Sequence, residues 1–338
     1  MNSIKAITIV LIAIILIGVF VFFQYVYNQA NVEPMKKYKV GLLIHNPPVQ
    51  NANIEGLKAG MRELGYEEGK NIEYILEDAS ADIGLIGKLA DELIAEKPDL
   101  IATPSTPGAL AFKKNTSIPI VFIDVGAVSD LVKNVNVPEA NVTGVIGGTS
   151  EFAGKRLEIL KEIIPTMKKV IISAEKKFPN YNPFMSSLRA GAAKLGVEIA
   201  EFPTEDAKDF VSKLPTIINK KNGDAFMYFP GPNNFPLEDK DRKLIVAQLI
   251  KEKLLSIDHN MELGANTGIL ASYGNYRFDV GKKAALLADK ILKGAQIKDV
   301  PVLFIKDLTM EINLKTAKSI GITIPQDILL QANKVYNE

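Results

Sequence analysis

The sequence predicts an α/β protein with two Rossmann-like lobes of parallel sheet, preceded by an N-terminal transmembrane helix. Three observations carry this. The phrase Leu57-Lys58-Ala59-Gly60…Leu64-Gly65 recurs as Leu188-Arg189-Ala190-Gly191…Leu195-Gly196, 131 positions later with every offset kept. Strand-like and helix-like runs alternate from Lys39 to Val335. Residues Ile7–Phe23 form a run of 17 residues without a charge.

Each copy of the repeated phrase follows an apolar run (Val40–Ile44, Val170–Ile172) and precedes another (Ile72–Leu76, Val197–Phe202). That context makes it the first helix of a βαβ unit at equivalent places in two lobes. A period this long is a domain duplication, not a solenoid repeat. The competing reading is coincidence, because such a phrase also describes a common amphipathic helix with a glycine C-cap. Two similar lobes imply a cleft, a favoured place for small ligands.

The elements follow in order. Lys39–His45 predicts a strand, Ile54–Leu64 a helix closed by Gly65, Asn71–Leu76 a strand and Ile83–Glu96 a helix stopped before Pro98. Leu100–Thr103 and Ile120–Asp124 predict strands around a helix at Gly108–Lys114. Val142–Ile146 leaves the first lobe, and Glu151–Ile164 is a helix N-capped by Thr149 or Ser150. The second lobe repeats the scheme. Strands are expected at Val170–Ser173, Glu198–Phe202, Ala225–Phe229 and Leu254–Asp258, and helices at Pro183–Leu195, Ala207–Asn219 and Asp239–Glu252. Strands at Gly268–Ser272, Pro301–Ile305 and Met310–Ile312 surround a long helix, Asp279–Leu292. A helix at Lys315–Ser319 follows, and Gln326–Val335 closes the chain. The expected division is 1–34 as anchor or signal and linker, 35–147 plus about 270–305 as lobe 1, and 148–269 plus about 306–338 as lobe 2.

Composition narrows the function. The 338 residues are 47% hydrophobic and 23% charged, a globular balance with room for two domains. A net charge of +1 with no long charge block gives nothing to attract nucleic acid. With no cysteine, disulfides, thiolate metal sites and a cysteine nucleophile are excluded. His45 and His259 are the only histidines, too few for a histidine-rich metal site. No cofactor is implied. Extended to Tyr27, the apolar N-terminal run reaches the ~20 residues that span a bilayer. It is longer than a signal-peptide core and lacks a good cleavage site, so an uncleaved anchor is favoured over a cleaved signal. Lys5 on its amino side places the remainder outside the cytoplasm.

In open parallel sheets, ligands bind beyond the carboxyl ends of strands. The loops after the strands therefore supply the candidate residues: Asn46 after the first, Thr103, Ser105 and Thr106 after the third, and Asp124 after the fourth. In the second lobe they are Asn180, Tyr181 and Asn182, Asn233, and Tyr273 near a predicted crossing. The hydroxyls at a helix start suit a carboxylate, and Asp124 suits an ammonium or hydroxyls. Simple capping and turn chemistry are the alternatives at each position. No dinucleotide fingerprint and no nucleophile elbow occurs. Gly148…Gly154-Lys155 misses the P-loop by one residue and carries Arg156 at the Ser/Thr position.

Several phrases resemble the ABC-transporter substrate-binding proteins of the tryptophan/tyrosine type, over roughly residues 38–332. They include GLKAGMRELGYEEGKNI (56–72), KPDLIATPSTPGALAFK (97–113), IPIVFIDV (118–125), LEILKEIIP (157–165) and INLKTAKSIGITIP (312–325). The resemblance implies a type I periplasmic-binding-protein clamshell that hands a small solute, amino-acid-like above all, to ABC permease subunits in the membrane. It implies a monomer, tethered and extracytoplasmic. It puts the family's hydroxyl-rich turn on Thr103, Ser105 and Thr106, its aspartate on Asp124, and its second-lobe amides near Asn180–Asn182 and at Asn233-Asn234. The alternative is a ligand-sensing extracytoplasmic module that signals to a partner membrane protein. An enzyme is disfavoured, since no recognisable nucleophile accompanies the two histidines.

Overall fold

Strand β1 (Tyr38–Ile44) is followed by helix α1 (Pro47–Glu63), and β2 (Ile72–Asp78) by α2 (Ile86–Ala95). Next come β3 (Leu100–Thr103), α3 (Thr106–Asn115), β4 (Ile120–Ile123), α4 (Val128–Leu131) and β5 (Val142–Ile146). The computed structural model describes residues 17–24, 36–80, 82–125, 128–231, 239–306 and 308–337. These fall in two units, Met1–Lys37 and Tyr38–Glu338. In the first unit residues 17–24 are helical, and Phe20, Phe22 and Phe23 are exposed. Among the described residues no helix is long and apolar enough to cross a membrane, and residues 7–16 of the expected anchor lie outside them.

The second unit holds two sheets. With Leu303–Phe304 as β11, the first has the order β11-β5-β4-β3-β1-β2 with every pair parallel. Its edge strand β11 (Leu303–Phe304) arrives late in the chain. Alternate residues of its strands face opposite ways, as strand geometry requires. Val40, Leu42 and Ile44 pack with α1 and with α10 (Arg277–Leu292). Leu43, Ile101 and Phe122 pack with α2 and α3.

The second sheet is built from β6 (Lys169–Ala174), β7 (Glu198–Pro203), β8 (Ala225–Met227), β9 (Leu255–Asp258), β10 (Ala271–Gly274), β12 (Thr309–Asn313) and β13 (Lys334–Tyr336). Their order is β13-β12-β10-β9-β8-β6-β7. One face is covered by α5 (Ala153–Ile163), α6 (Tyr181–Leu195), α11 (Leu314–Ile320) and α12 (Gln326–Gln331). The other is covered by α7 (Ala207–Ser212), α8 (Leu214–Ile217) and α9 (Asp239–Lys251). The pair β10–β12 is antiparallel, which departs from the all-parallel expectation.

The repeated phrase falls where the duplication puts it. It lies in α1 and in α6, each between the first and second strand of its sheet. Gly65 and Gly196, which close the two copies, both have left-handed backbones (φ +91° and +63°).

Other boundaries differ. Helix α1 begins at Pro47, because consecutive prolines suit the first helical turn. The helix expected at Ala207–Asn219 divides at Lys213, where Pro215 starts a new turn. The closing run Gln326–Val335 divides into α12 and the start of β13, which pairs with β12. The second crossing comes after Gly274, because β10 pairs with β9 and β12 in the second sheet.

Helices α1 and α10 approach closely through two glycines. A Cβ on Gly56 would sit 1.9 Å from the Phe278 carbonyl oxygen, and one on Gly281 2.0 Å from that of Asn53. Backbone cannot yield as a side-chain tip can, so Gly281→Ala must push the helices apart. Its expected cost is about 1–3 kcal/mol, read as a lower urea midpoint. An unchanged midpoint would show that the helices slide freely.

Candidate functional site

Each sheet has a switch point. In the first, β1 is flanked by β2 and β3; in the second, β6 is flanked by β7 and β8. Connections leave such a strand in opposite directions and open a crevice at its carboxyl end. The two crevices face each other. His45 and Asn46 follow β1, and Pro104 and Thr106 follow β3. Phe178 and Asn180 follow β6, and Pro230 and Gly231 follow β8. Together they line one chamber of about 70 Å³, with Gln50, Asn53, Asp124, Thr149, His259 and Arg277.

The polar lining is largely pre-positioned. Gln50, in the first turn of α1, accepts hydrogen bonds from the backbone N–H groups of His45 (2.8 Å) and Asn46 (3.0 Å) and donates to the Pro104 carbonyl (2.7 Å). It thereby ties the loops after β1 and β3. Asn53, one helical turn on, donates to the Arg277 carbonyl at 3.1 Å. The guanidinium of Arg277 meets Glu262 at 3.2 Å. Thr106 donates to Asn180 Oδ1 at 3.3 Å, and Asn180 donates to the Pro230 carbonyl at 3.3 Å. This chain of bonds bridges the two halves across the chamber. Asn46 Oδ1 is buried and has no hydrogen-bond partner among the described residues. An acceptor so placed favours a ligand with a donor.

Asp124 is the carboxylate of the chamber. Its backbone is left-handed (φ +53°), a conformation that aspartate tolerates better than most residues. Thr149 donates to its Oδ1 at 2.8 Å. Burial raises its pKa, while the Arg277 charge and the Thr149 hydrogen bond oppose the rise. Both histidines are held neutral at pH 7. Burial pulls His45 down to about 4 against the opposing Asp78 charge, and pulls His259 to about 4 although Asp258 lies 3.1 Å from its Nδ1.

Four of the sequence-predicted residues, Asn46, Thr106, Asp124 and Asn180, line the chamber. Five others do not, because their side chains are used elsewhere or face away. Thr103 donates to the Leu43 carbonyl (2.7 Å), tying β3 to β1. Ser105 caps α3 by accepting from Gly108 N–H (3.0 Å). The Tyr181 hydroxyl donates to Glu201 (2.7 Å), and Asn182 is exposed on α6. Tyr273 packs edge-on against Phe152, with ring centres 6.5 Å apart. Asn233 lies outside the described residues.

Sequence reasoning did not nominate Gln50, Asn53, Thr149, His259 or Arg277 for the ligand. His45 and His259 were weighed as a metal site and as a base pair and set aside, for want of number and of a nucleophile. Both end strands, β1 and β9, so the rule that nominated Asn46 also covers them. Gln50 and Asn53 are three apart on one face of α1, a spacing that becomes a signal once the helix is known to start at Pro47. Nothing in the sequence marks Arg277.

Two sheets of mainly parallel strands, crossed three times and facing each other across a polar chamber, define a solute-binding protein with the type I periplasmic-binding-protein fold. The family of ABC transporter substrate binding proteins matches residues 39–336, and the chain belongs to it. A tyrosine-binding protein of Clostridioides difficile is 27% identical over 301 residues, 87% of this chain and 83% of its own. A conserved domain protein of Vibrio cholerae is similar in structure, with a TM-score of 0.82 and 27% identity over 89% of this chain and 100% of its own. The ABC domain in complex with L-Trp from Streptococcus pneumonia gives a TM-score of 0.80 at 23% identity, again over 89% and 100%. The family is one of transport proteins, which corresponds to the first of the two roles expected from the sequence and not to the sensory one.

Proposed function

We propose that the chamber binds the charged head of an amino acid and that the two halves close around it. The observation that carries this is the pairing of opposite charges in one enclosure. Asp124 and Asn46 Oδ1, which has no partner among the described residues, accept from the ammonium, while Arg277 faces the carboxylate. With both histidines neutral, the chamber adds no further charge. The tyrosine-binding relative supports an amino acid as the ligand. In this reading Ile7–Phe23 tethers a monomeric protein outside the cytoplasm, and the loaded form delivers its ligand to ABC permease subunits.

Full-length protein is expected to melt about 4 °C higher at a ligand concentration 100 times Kd, since a ligand bound only to the folded state adds ~2.7 kcal/mol. A panel of amino acids, nucleosides and sugars tests this, and stabilisation by sugars alone would refute it. Asp124→Asn removes the charge but keeps the shape. It is expected to weaken amino-acid binding between about tenfold and a hundredfold in titration calorimetry, and undiminished affinity would remove Asp124 from the ammonium site.

A further inference from the structure

Strand order turns each sheet into a lever. In the first sheet, two of the three crossings leave from β5 and β11, and β2 is the opposite edge. Four strand spacings of about 4.8 Å put β2 roughly 19 Å from β5. In the second sheet the crossings meet β10 and β12, and β7 is the edge on the far side of β6. The loops after β2 and β7 therefore swing furthest when the halves move about the crossings. The loop after β2 carries Ile83. Asp82 accepts a hydrogen bond from the Gly84 N–H (2.9 Å) and fixes the single turn Ile83–Leu85. From that turn the partly buried side chain of Ile83 packs on two cores. One is the first half's own, with Ala79, Ile86 and Phe112. The other belongs to the second half, with Phe178, Phe184 and Phe229.

Two other contacts cross between the halves beside the chamber. Val49 packs on the second-half cluster of Ile171, Phe210 and Tyr228, and Thr106 bonds to Asn180. Both of these first-half residues line the chamber, whereas Ile83 does not. Apolar side chains touch only within about 4.0–4.5 Å. A rotation of about 15° about the crossings carries a group at the β2 edge by ~5 Å. The Ile83 contact therefore exists when the halves are together and is lost when they part. We propose that Ile83 is a positioning residue for ligand binding. It latches the closed arrangement from outside the chamber and sets affinity without touching the ligand. Apparent affinity scales with the fraction of protein in the binding-competent state, so a weaker latch gives weaker binding and faster release. This rests on the reading that the halves close around a ligand, and adds to it the side chain that sets how firmly they stay closed.

The test uses full-length protein with L-tyrosine as the probe, titrated by calorimetry and followed by stopped flow for its release. The chain has no cysteine, so a dye pair at Lys88→Cys on α2 and Lys208→Cys on α7, both exposed, reports the separation of the halves by energy transfer. Wild type is expected to bind and to draw the dyes together. Ile83→Ala is expected to weaken binding about tenfold, with the loss in the dissociation rate. Ile83→Val, which keeps most of the contact, is expected to recover most of the affinity. Leu85→Ala, in the same turn but at a side chain 41% exposed, is expected to change nothing. A purely structural role for Ile83 lowers the ligand-free urea midpoint and leaves the release rate at its wild-type value. That result overturns the proposal, provided that wild type binds and closes. A wild type that binds without drawing the dyes together, or that does not bind L-tyrosine, instead fails the closure or amino-acid reading, and the latch falls with it.

Discussion

Arg156→Ala is expected to lower the free energy of unfolding by about 3–5 kcal/mol, the usual cost of removing one partner from a buried charged cluster. Arg156 lies in α5 and is only 1% exposed. Its Nε donates to the Tyr273 carbonyl at 2.8 Å and its Nη1 to the Thr149 carbonyl at 2.7 Å. Thr149 lies on the first crossing between the sheets, and Tyr273 is in β10, just before the second. One guanidinium therefore pins two crossings. Burial pulls its pKa down to about 10, against the charges of Asp258, Asp124 and Glu151, so it stays protonated at neutral pH. Without it Asp258, 1% exposed and with Oδ2 already unpartnered among the described residues, loses its compensating charge. Arg156→Lys keeps the charge but not the fork, and is expected to recover only part of the loss. Urea denaturation of both variants measures this. A change below about 1 kcal/mol for Arg156→Ala would show that the crossings hold without it.

Acid below pH 6.5 is expected to destabilise the protein through its two buried histidines. His45 and His259 are each 5% exposed, and each titrates near 4 in the folded chain against 6.5 for a free imidazole. Below pH 6.5 the unfolded chain takes up protons that the folded chain refuses. The stabilising contribution is thus complete above pH 6.5 and is lost progressively as pH falls toward 4. A depression of this size is worth about 3 kcal/mol for each histidine. Asp124, with its pKa raised by burial, acts in the opposite sense and offsets part of the loss at low pH. Urea midpoints at pH 7, 5.5 and 4.5 measure the slope, and His45→Gln is expected to reduce it by about half. Stability that holds steady from pH 7 to 4.5 would mean that the imidazoles are solvated in the folded protein.

Much of the architecture was legible because it repeats. The repeated phrase marked α1 and α6, and glycines at its end forced the left-handed closures at Gly65 and Gly196. Alternation of strand and helix located both sheets. Pairing direction was not legible for β10 and β12, since a short strand carries no mark of its neighbour's orientation. Nor was β13, whose three residues carry no strand pattern of their own. At the site, the loops to search could be read but not which side chain within them points inward. Thr103, Ser105 and Thr106 offer three hydroxyls in one turn. The first is taken by a strand carbonyl, the second by a helix cap, and only Thr106 faces the chamber. Arg277 enters from a helix more than two hundred residues from His45, so only the folded path of the chain brings the two together.

That path has a consequence for how the chain is made. The first sheet receives its edge strand only at Leu303–Phe304, after α10 has covered one of its faces. The second is finished by residues 309–336. A nascent polypeptide leaving the ribosome thus carries two unfinished halves until residues 303–336 have emerged. Their uncovered apolar faces are open to chaperones and proteases throughout that interval. Synthesis order thereby postpones closure of both halves until residues 303–336 have emerged, and a chain halted before residue 300 contains neither sheet complete.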